Sequence, residues 1–202
     1  MKKYGAILAD PPWTFATYSA AGKGRSAEAH YDCMSHTDIC LLLAGERWAA
    51  PDCVLFLWTT NSLLCKALQV IDAWGFTYKT IAFTWAKRTP KDGGWHFGLG
   101  YWTRQNTEHC LLATKGKPHR IACDVPELIV SPRREHSRKP EETYDRIERL
   151  CEGPYLELFA RQRRYGWDSL GDEVDSGIGK RRWASSSGPP DEPQSDDLSS
   201  YL

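Results

Sequence analysis

The chain has 202 residues, of which 41% are hydrophobic and 12% aromatic, with nine Trp. That suits one domain with a substantial core and is too apolar for a disordered chain. No stretch approaches the roughly 18 consecutive apolar residues of a membrane span, and Met1-Lys2-Lys3 leads straight into a strand-like segment, so neither a span nor a secretory leader is expected.

The formal net charge of zero conceals an asymmetry: residues 168–202 hold eight acids against three bases, which leaves the rest of the chain at +5. A mildly basic body suits a polyanionic ligand, and equally an ordinary solvated surface. Seven Cys occur without any CxxC spacing, which reads as reduced thiols in a cytoplasmic protein rather than a disulfide framework.

In chain order, Tyr4–Ala9 is a short apolar run closed by Asp10-Pro11-Pro12, and Pro cannot continue a central strand, so a buried strand that stops abruptly is predicted. Residues 14–34, rich in Gly, Ala and Ser, read as a long loop. Ser35 is placed as an N-cap before a helix running to about Trp48. Cys53–Trp58 is a continuous apolar run and predicts a fully buried strand. Asn61 or Ser62 opens a helix with Leu64, Leu68, Ile71 and Trp74 at helical spacing, and Gly75 ends it. Residues 77–86 predict a strand, 88–105 a second long loop, and Glu108–Thr114 another strand. Pro140 stands in the first turn of a predicted helix Glu141–Cys151, and Tyr155–Phe159 is the last predicted strand. From about Asp175 the composition turns to Ser, Pro and Asp, which predicts disorder. Continuous apolar strands alternating with helices argue for a mostly parallel α/β sheet covered on both faces, with ligands beyond the carboxyl ends of its strands.

Asp10-Pro11-Pro12-Trp13, directly after the first buried strand, is the most informative segment. It reads either as a Pro-stopped strand with a turn-capping Asp or as a device for methylating an exocyclic amine. An adenine amino nitrogen is a weak nucleophile because its lone pair is delocalised into the ring. Two acceptors, the Asp10 carboxylate and the Pro11 carbonyl, can each take one N–H and draw the nitrogen towards tetrahedral geometry, and Pro brings no competing N–H. Trp13 would offer a face on which a flipped base stacks.

With this motif the sequence resembles the DPPW-type adenine-N6 methyltransferases, a family that includes the catalytic subunit of the eukaryotic messenger-RNA adenosine methyltransferase and small bacterial and prophage DNA enzymes. The resemblance runs from about Tyr4 to Glu173. Its landmarks are Leu8–Trp13, Tyr31–Ser35, Leu55–Trp58, Thr84–Lys87, Glu108-His109-Cys110, Arg138-Lys139-Pro140, Glu157–Arg161 and Trp167–Gly171. It implies an α/β, Rossmann-like S-adenosylmethionine-dependent methyltransferase with permuted motif order, catalytic strand first, over residues 1–174, followed by the acidic Ser/Pro-rich tail 175–202.

Carried over by position, the resemblance implies that Asp10, Pro11, Pro12 and Trp13 are catalytic. Lys139 would pair with the methionine carboxylate of the donor, Phe159 and Arg161 would sit at the donor, and Asp172 and Glu173 would contact its ribose. Only nine residues precede Asp10, so a donor contact that family members place upstream would be missing or replaced, and Arg163 and Arg164 depart from the eukaryotic pattern. Tyr31, Lys87, Arg88, Lys91, Arg104, Arg133 and Arg134 are expected on the nucleic-acid side, because bases interleaved with aromatics grip phosphates and stack bases. Cys33-x2-His36 and His119-x3-Cys123 have tolerable ligand spacing but form no pair of pairs, so no metal is expected. His109 and Cys110 read as packing residues. The expected activity is adenine-N6 methylation of DNA in a bacterial or phage-infected cytoplasm, with no membrane partner; its rivals are the same reaction on RNA and a catalytically silent scaffold that binds nucleic acid.

Overall fold

The computed structural model describes residues 2–14, 33–90, 93–98, 100, 102–134, 138–171 and 174. Strand β1 (Tyr4–Ala9) is the apolar run predicted from sequence, and Ala6 to Ala9 are buried on both faces. Small and aliphatic side chains suffice there because parallel neighbours close both edges: β2 (Ala49–Thr59), with Ala9 opposite Leu57, and β6 (Tyr155–Leu158), with Ala9 opposite Leu158.

The seven strands form one sheet in the order β5-β3-β4-β2-β1-β6-β7, where β3 is Thr77–Arg88, β4 Thr107–Lys115, β5 Leu128–Pro132 and β7 Trp167–Leu170. Four of the six pairings are parallel, and β4 runs antiparallel to both β2 and β3. The chain builds outward from β1 on one side and returns to its other side only with β6. The carboxyl ends of β1 and β6 therefore lie side by side where the order reverses, the position at which open α/β sheets bind ligands. This is the Rossmann-like arrangement with the catalytic strand first that the resemblance implies.

Period-two alternation divides the core between the two faces. Ile7 and Ala9 join Leu55, Leu57, Leu111 and Leu156 under α1 (His36–Leu41), α2 (Ala44–Arg47) and α3 (Leu64–Ala73). Ala6 and Leu8 join Phe56, Trp58, Phe83, Trp85 and Cys110 under α4 (Glu142–Leu150) through Tyr144 and Ile147. Buried Arg146 ties α4 to the sheet by donating to Leu128 O at 2.9 Å and to Pro126 O.

Several local expectations are corrected. The helix predicted from Ser35 to Trp48 is two helices, because Leu43 adopts the left-handed region at φ 49° and breaks it. Ser35 does cap α1, accepting from Asp38 N at 3.1 Å. A 3₁₀ turn over Asn61–Leu63 leads into α3 without a side-chain cap. Gly75 at φ 76° ends α3 as expected. The strands β5 and β7 were not predicted; they are the two edges of the sheet. Phe159 is not the last residue of β6: it leaves the strand at φ 62°. Loop 14–34 lies mostly, and tail 175–202 entirely, outside the described residues.

Candidate active site

Alternation along β1 sends Asp10 to the α4 side of the sheet, below the loop that enters α4. There Lys139 Nζ lies 2.7 Å from both Asp10 Oδ1 and Oδ2. The same ammonium lies 3.4 Å from Glu108 Oε2, and Lys87 donates to the other oxygen of Glu108. Asp10, Lys139, Glu108 and Lys87 thus form a row of alternating charges. Its inner members are nearly enclosed (Glu108 side chain 9% exposed) and Asp10 is its open end, at 28%. The floor is aromatic: Lys139 lies over Trp58 at 5.6 Å from the ring centroid and Lys87 over Trp85 at 4.8 Å.

Burial alone would push the Glu108 carboxyl up, but Lys139 and Lys87 outweigh it and hold the group below the ordinary Glu value. Burial likewise works against the Lys139 charge, and Asp10 and Glu108 overcome it, raising its pKa. Such a charge-assisted array holds Asp10 in one orientation and excludes other positions for its oxygens.

The rest of the motif is anchored through its backbone. Trp13 N donates to Pro11 O at 2.8 Å, Met34 N to Pro12 O at 2.9 Å, and the Trp13 indole N–H to Trp58 O at 3.1 Å. The Pro11 carbonyl so engaged retains one lone pair. Trp13 differs from expectation: it is only 6% exposed and packs in the core on the α1–α3 side, across the sheet from the Asp10 carboxylate. Its indole pins the turn that presents Asp10 rather than offering an open stacking face.

At the end of β6, Phe159 turns the chain, and half-buried Arg161 follows. Ala160 N donates to Leu170 O at 3.0 Å, and a Cβ on Gly171 would collide with the Ala160 carbonyl oxygen. The ends of β6 and β7 are thus drawn together beside Asp10. Asp172 and Glu173 lie outside the described residues, as do Tyr31 and Lys91.

The expected nucleic-acid residues separate into two kinds. Lys87 belongs to the buried array, since its ammonium is held by Glu108 over Trp85; it is not a surface cation. Arg134 is paired with Glu141 at 3.0 Å. Arg88 stacks on Trp95 at 4.0 Å and donates to Gly93 O, and Arg104 donates to Gly98 O and Phe97 O at 2.6 and 3.0 Å. These carbonyl partners shape the segment without neutralising its charge. Arg133 joins them on the surface, donating its backbone N–H to Arg88 O. His96 stands among Arg133, Lys87 and Arg104; burial first, then these cations, lower its pKa and favour the neutral imidazole. Trp102 is 91% exposed on the same segment.

Sequence reasoning assigned no chemistry to Glu108, Trp58, Trp85, Tyr144 or Glu157. The available signal was an acid at an inward position of an apolar strand, next but one to Cys110, because a buried carboxylate needs a partner. Among the described residues no group of three His, Cys, Asp or Glu is arranged to hold a metal ion. No described helix is long and apolar enough to cross a membrane.

Residues 4–173 match the MT-A70 family model. A Type II methyltransferase, M.MunI, of a Mycoplasma species is 32% identical over 191 residues, covering 86% of this chain and 78% of its own. The N(6)-adenosine-methyltransferase catalytic subunit METTL3 of Homo sapiens is 30% identical over 181 residues, covering 86% of this chain and 28% of its own. A putative MT-A70-like N(6)-adenosine-methyltransferase of Medicago truncatula is 32% identical over 181 residues, covering 87% and 27%. The chain thus spans most of the bacterial relative and about a quarter of the eukaryotic ones. With the strand that presents Asp10 first in the chain and interior in the sheet, the chain belongs to the MT-A70 family of N6-adenine methyltransferases, whose methyl donor is S-adenosylmethionine.

Proposed function

We propose that this protein methylates the N6 amine of adenine in DNA. The observation that carries the reading is the Lys139–Asp10 pair at the carboxyl end of β1, which holds a carboxylate on the residue just before Pro11 and its carbonyl. Those two acceptors suit the two hydrogens of an exocyclic amine. Hydrogen bonds to both localise the nitrogen lone pair, and an oriented contact of this kind is worth on the order of 10²-fold or more in rate.

S-adenosylmethionine, when bound, supplies an electrophilic methyl on a sulfonium. The residues at the neighbouring strand ends suit such a ligand. Asp10 offers negative charge to a cationic donor, and Lys139 positive charge to its carboxylate. The turn at Phe159 and the close approach of Gly171 to the Ala160 backbone shape the ends of β6 and β7 beside Asp10. Lys139 already binds Asp10 and Glu108, so a donor carboxylate would share this ammonium with them. Asp172, Glu173 and Arg161 are proposed to complete the donor site.

DNA is favoured over RNA because the chain spans 78% of the Type II methyltransferase and about a quarter of the adenosine methyltransferases. Arg88, Arg104 and Arg133 are proposed to contact phosphates, with Trp102 and Phe97 exposed beside them for stacking. The intact Asp10–Trp13 motif speaks against a silent scaffold. Incubation with labelled S-adenosylmethionine and matched DNA and RNA tests the reading: label on adenine N6 in DNA supports it, and label on RNA alone moves the substrate to the second reading.

A further inference from the structure

Glu157 lies on β6, opposite Leu8 of β1 and Ser169 of β7, one residue short of the strand end that adjoins Asp10. It faces α4, where Tyr144 Oη donates to its Oε1 at 2.8 Å. Among the described residues its other oxygen, Oε2, is buried without a hydrogen-bond partner, and so is Ser169 Oγ at the opposing register position. A buried carboxylate with one oxygen unsatisfied is costly, whereas a neutral carboxyl is much less so.

The charges around it add to that cost. Asp10 beyond β1 and Glu141 at the entry to α4 are negative, and Arg164, from the loop between β6 and β7, is the opposing cation. Arg164 is itself committed, to Glu141 at 3.2 Å and Asp145 at 2.6 Å, and stacks over the Tyr144 ring at 4.6 Å. Burial, offset in part by the Tyr144 hydrogen bond and reinforced by Asp10 and Glu141, pushes the Glu157 carboxyl up to about 7. Nothing in the methyl-transfer reading uses this group.

We propose that Glu157 is a positioning residue of the transfer site that holds a proton while the site lacks its donor and releases it when the cationic donor binds. The inference rests on the donor reading above. Bound S-adenosylmethionine would add a positive charge near the strand ends that carry Asp10 and Glu157. That added positive charge favours the Glu157 carboxylate, and the Glu157 O–H bond breaks with its proton passing to solvent. The product, a thioether without the sulfonium charge, favours reprotonation, so the proton returns as the methyl leaves. The linkage makes donor binding, relative to product binding, depend on pH without any contact between Glu157 and the reacting atoms.

The test is calorimetric titration of the full chain with S-adenosylmethionine and with S-adenosylhomocysteine, in buffers of different ionisation enthalpy and between pH 6 and 8. Near pH 7 the sulfonium donor should release about half a proton more than the thioether, and its affinity relative to the thioether should rise about tenfold from pH 6 to pH 8. Glu157→Gln should abolish the difference in proton release between the two ligands. Tyr144→Phe, which removes the hydrogen bond that favours the carboxylate, should move the midpoint of the linkage to higher pH and serves where the Gln variant fails to fold. Equal proton release by both ligands, or a difference that survives Glu157→Gln, overturns the proposal while leaving the donor site standing. Absence of S-adenosylmethionine binding by the unaltered chain overturns the donor reading, and this one with it.

Discussion

Lys139 and Asp10, 129 residues apart in the chain, meet with Nζ 2.7 Å from each carboxylate oxygen, and Glu108 holds the same ammonium from the other side. The residue the resemblance assigns to the donor is therefore also the one that orients the proposed catalytic carboxylate. Substitutions at the two positions should differ in what they disturb.

Asp10→Ala removes an acceptor for the substrate amine. Methyl transfer should fall by about 10²-fold or more, while S-adenosylmethionine binding changes by much less. Asp10→Asn keeps one acceptor oxygen and should retain a measurable rate. Single-turnover methyl transfer alongside donor titration checks both, and a rate within a few-fold of the parent for Asp10→Ala removes Asp10 from catalysis.

Lys139→Ala leaves Asp10 and Glu108 facing each other without their shared cation. Breaking a buried pair from one side costs about 3 kcal/mol, to be discounted somewhat for the partial exposure of Asp10. The variant should also bind S-adenosylmethionine more weakly, by about 1.5–3 kcal/mol. Denaturant unfolding and donor titration report the two losses separately; a variant as stable as the parent contradicts the buried array.

The two buried acids have opposite pH signatures. Glu108 is held below the ordinary Glu value of 4.5, so its contribution to stability is present above that pH and is lost as pH falls through its lower folded value. Glu157 is raised from 4.5 to about 7, so its contribution is present below 4.5 and is lost as pH rises towards 7. Thermal unfolding from pH 3 to 8 should show Glu108→Gln with a shallower acid limb than the parent, and Glu157→Gln with less decline between pH 4.5 and 7. Superimposable profiles for parent and variant at either position contradict the assigned environment.

Lys87 is internal while Arg88, Arg104 and Arg133 are paired with no acid among the described residues, and this divides their expected effects. Replacing the three arginines with Ala should weaken DNA binding about equally across sequences and flatten its salt dependence by about one unit per lost phosphate contact. Lys87→Ala should instead lower the rate and leave the salt slope nearly intact. Trp102→Ala should cost about 1–3 kcal/mol of binding if a base stacks there. Titrations at several salt concentrations decide; an unaltered slope in the triple variant assigns the segment to another partner.

Much of the fold was legible because central strands are buried on both faces and appear as continuous apolar runs, as in Ala6–Ala9 and Cys53–Trp58. The edge strands β5 and β7 escaped because an edge buries less: in Leu128–Pro132 only Ile129 is buried, and Trp167–Leu170 buries only its two ends. The break at Leu43 carries neither Gly nor Pro to announce it. Asp10 was legible as a carboxylate at an abrupt strand end. Its partners were not, since Lys139 arrives from before α4 and Glu108 from an antiparallel strand, and only the closed sheet joins them. The burial of Trp13 was not legible, because a Trp in a Pro-rich turn is as able to anchor as to stack.

Methyl transfer to adenine N6 through Asp10 is the central proposal. The most direct measurement is mass spectrometry of nucleosides from duplex DNA and matched RNA after incubation with methyl-labelled S-adenosylmethionine, run in parallel with Asp10→Ala. The expected result is labelled N6-methyldeoxyadenosine from the DNA reaction with the unaltered chain and at least a hundredfold less, by the estimate of about 10²-fold or more, with the variant. Label on cytosine or on a ring nitrogen of adenine, or an equal yield from the variant, would contradict it.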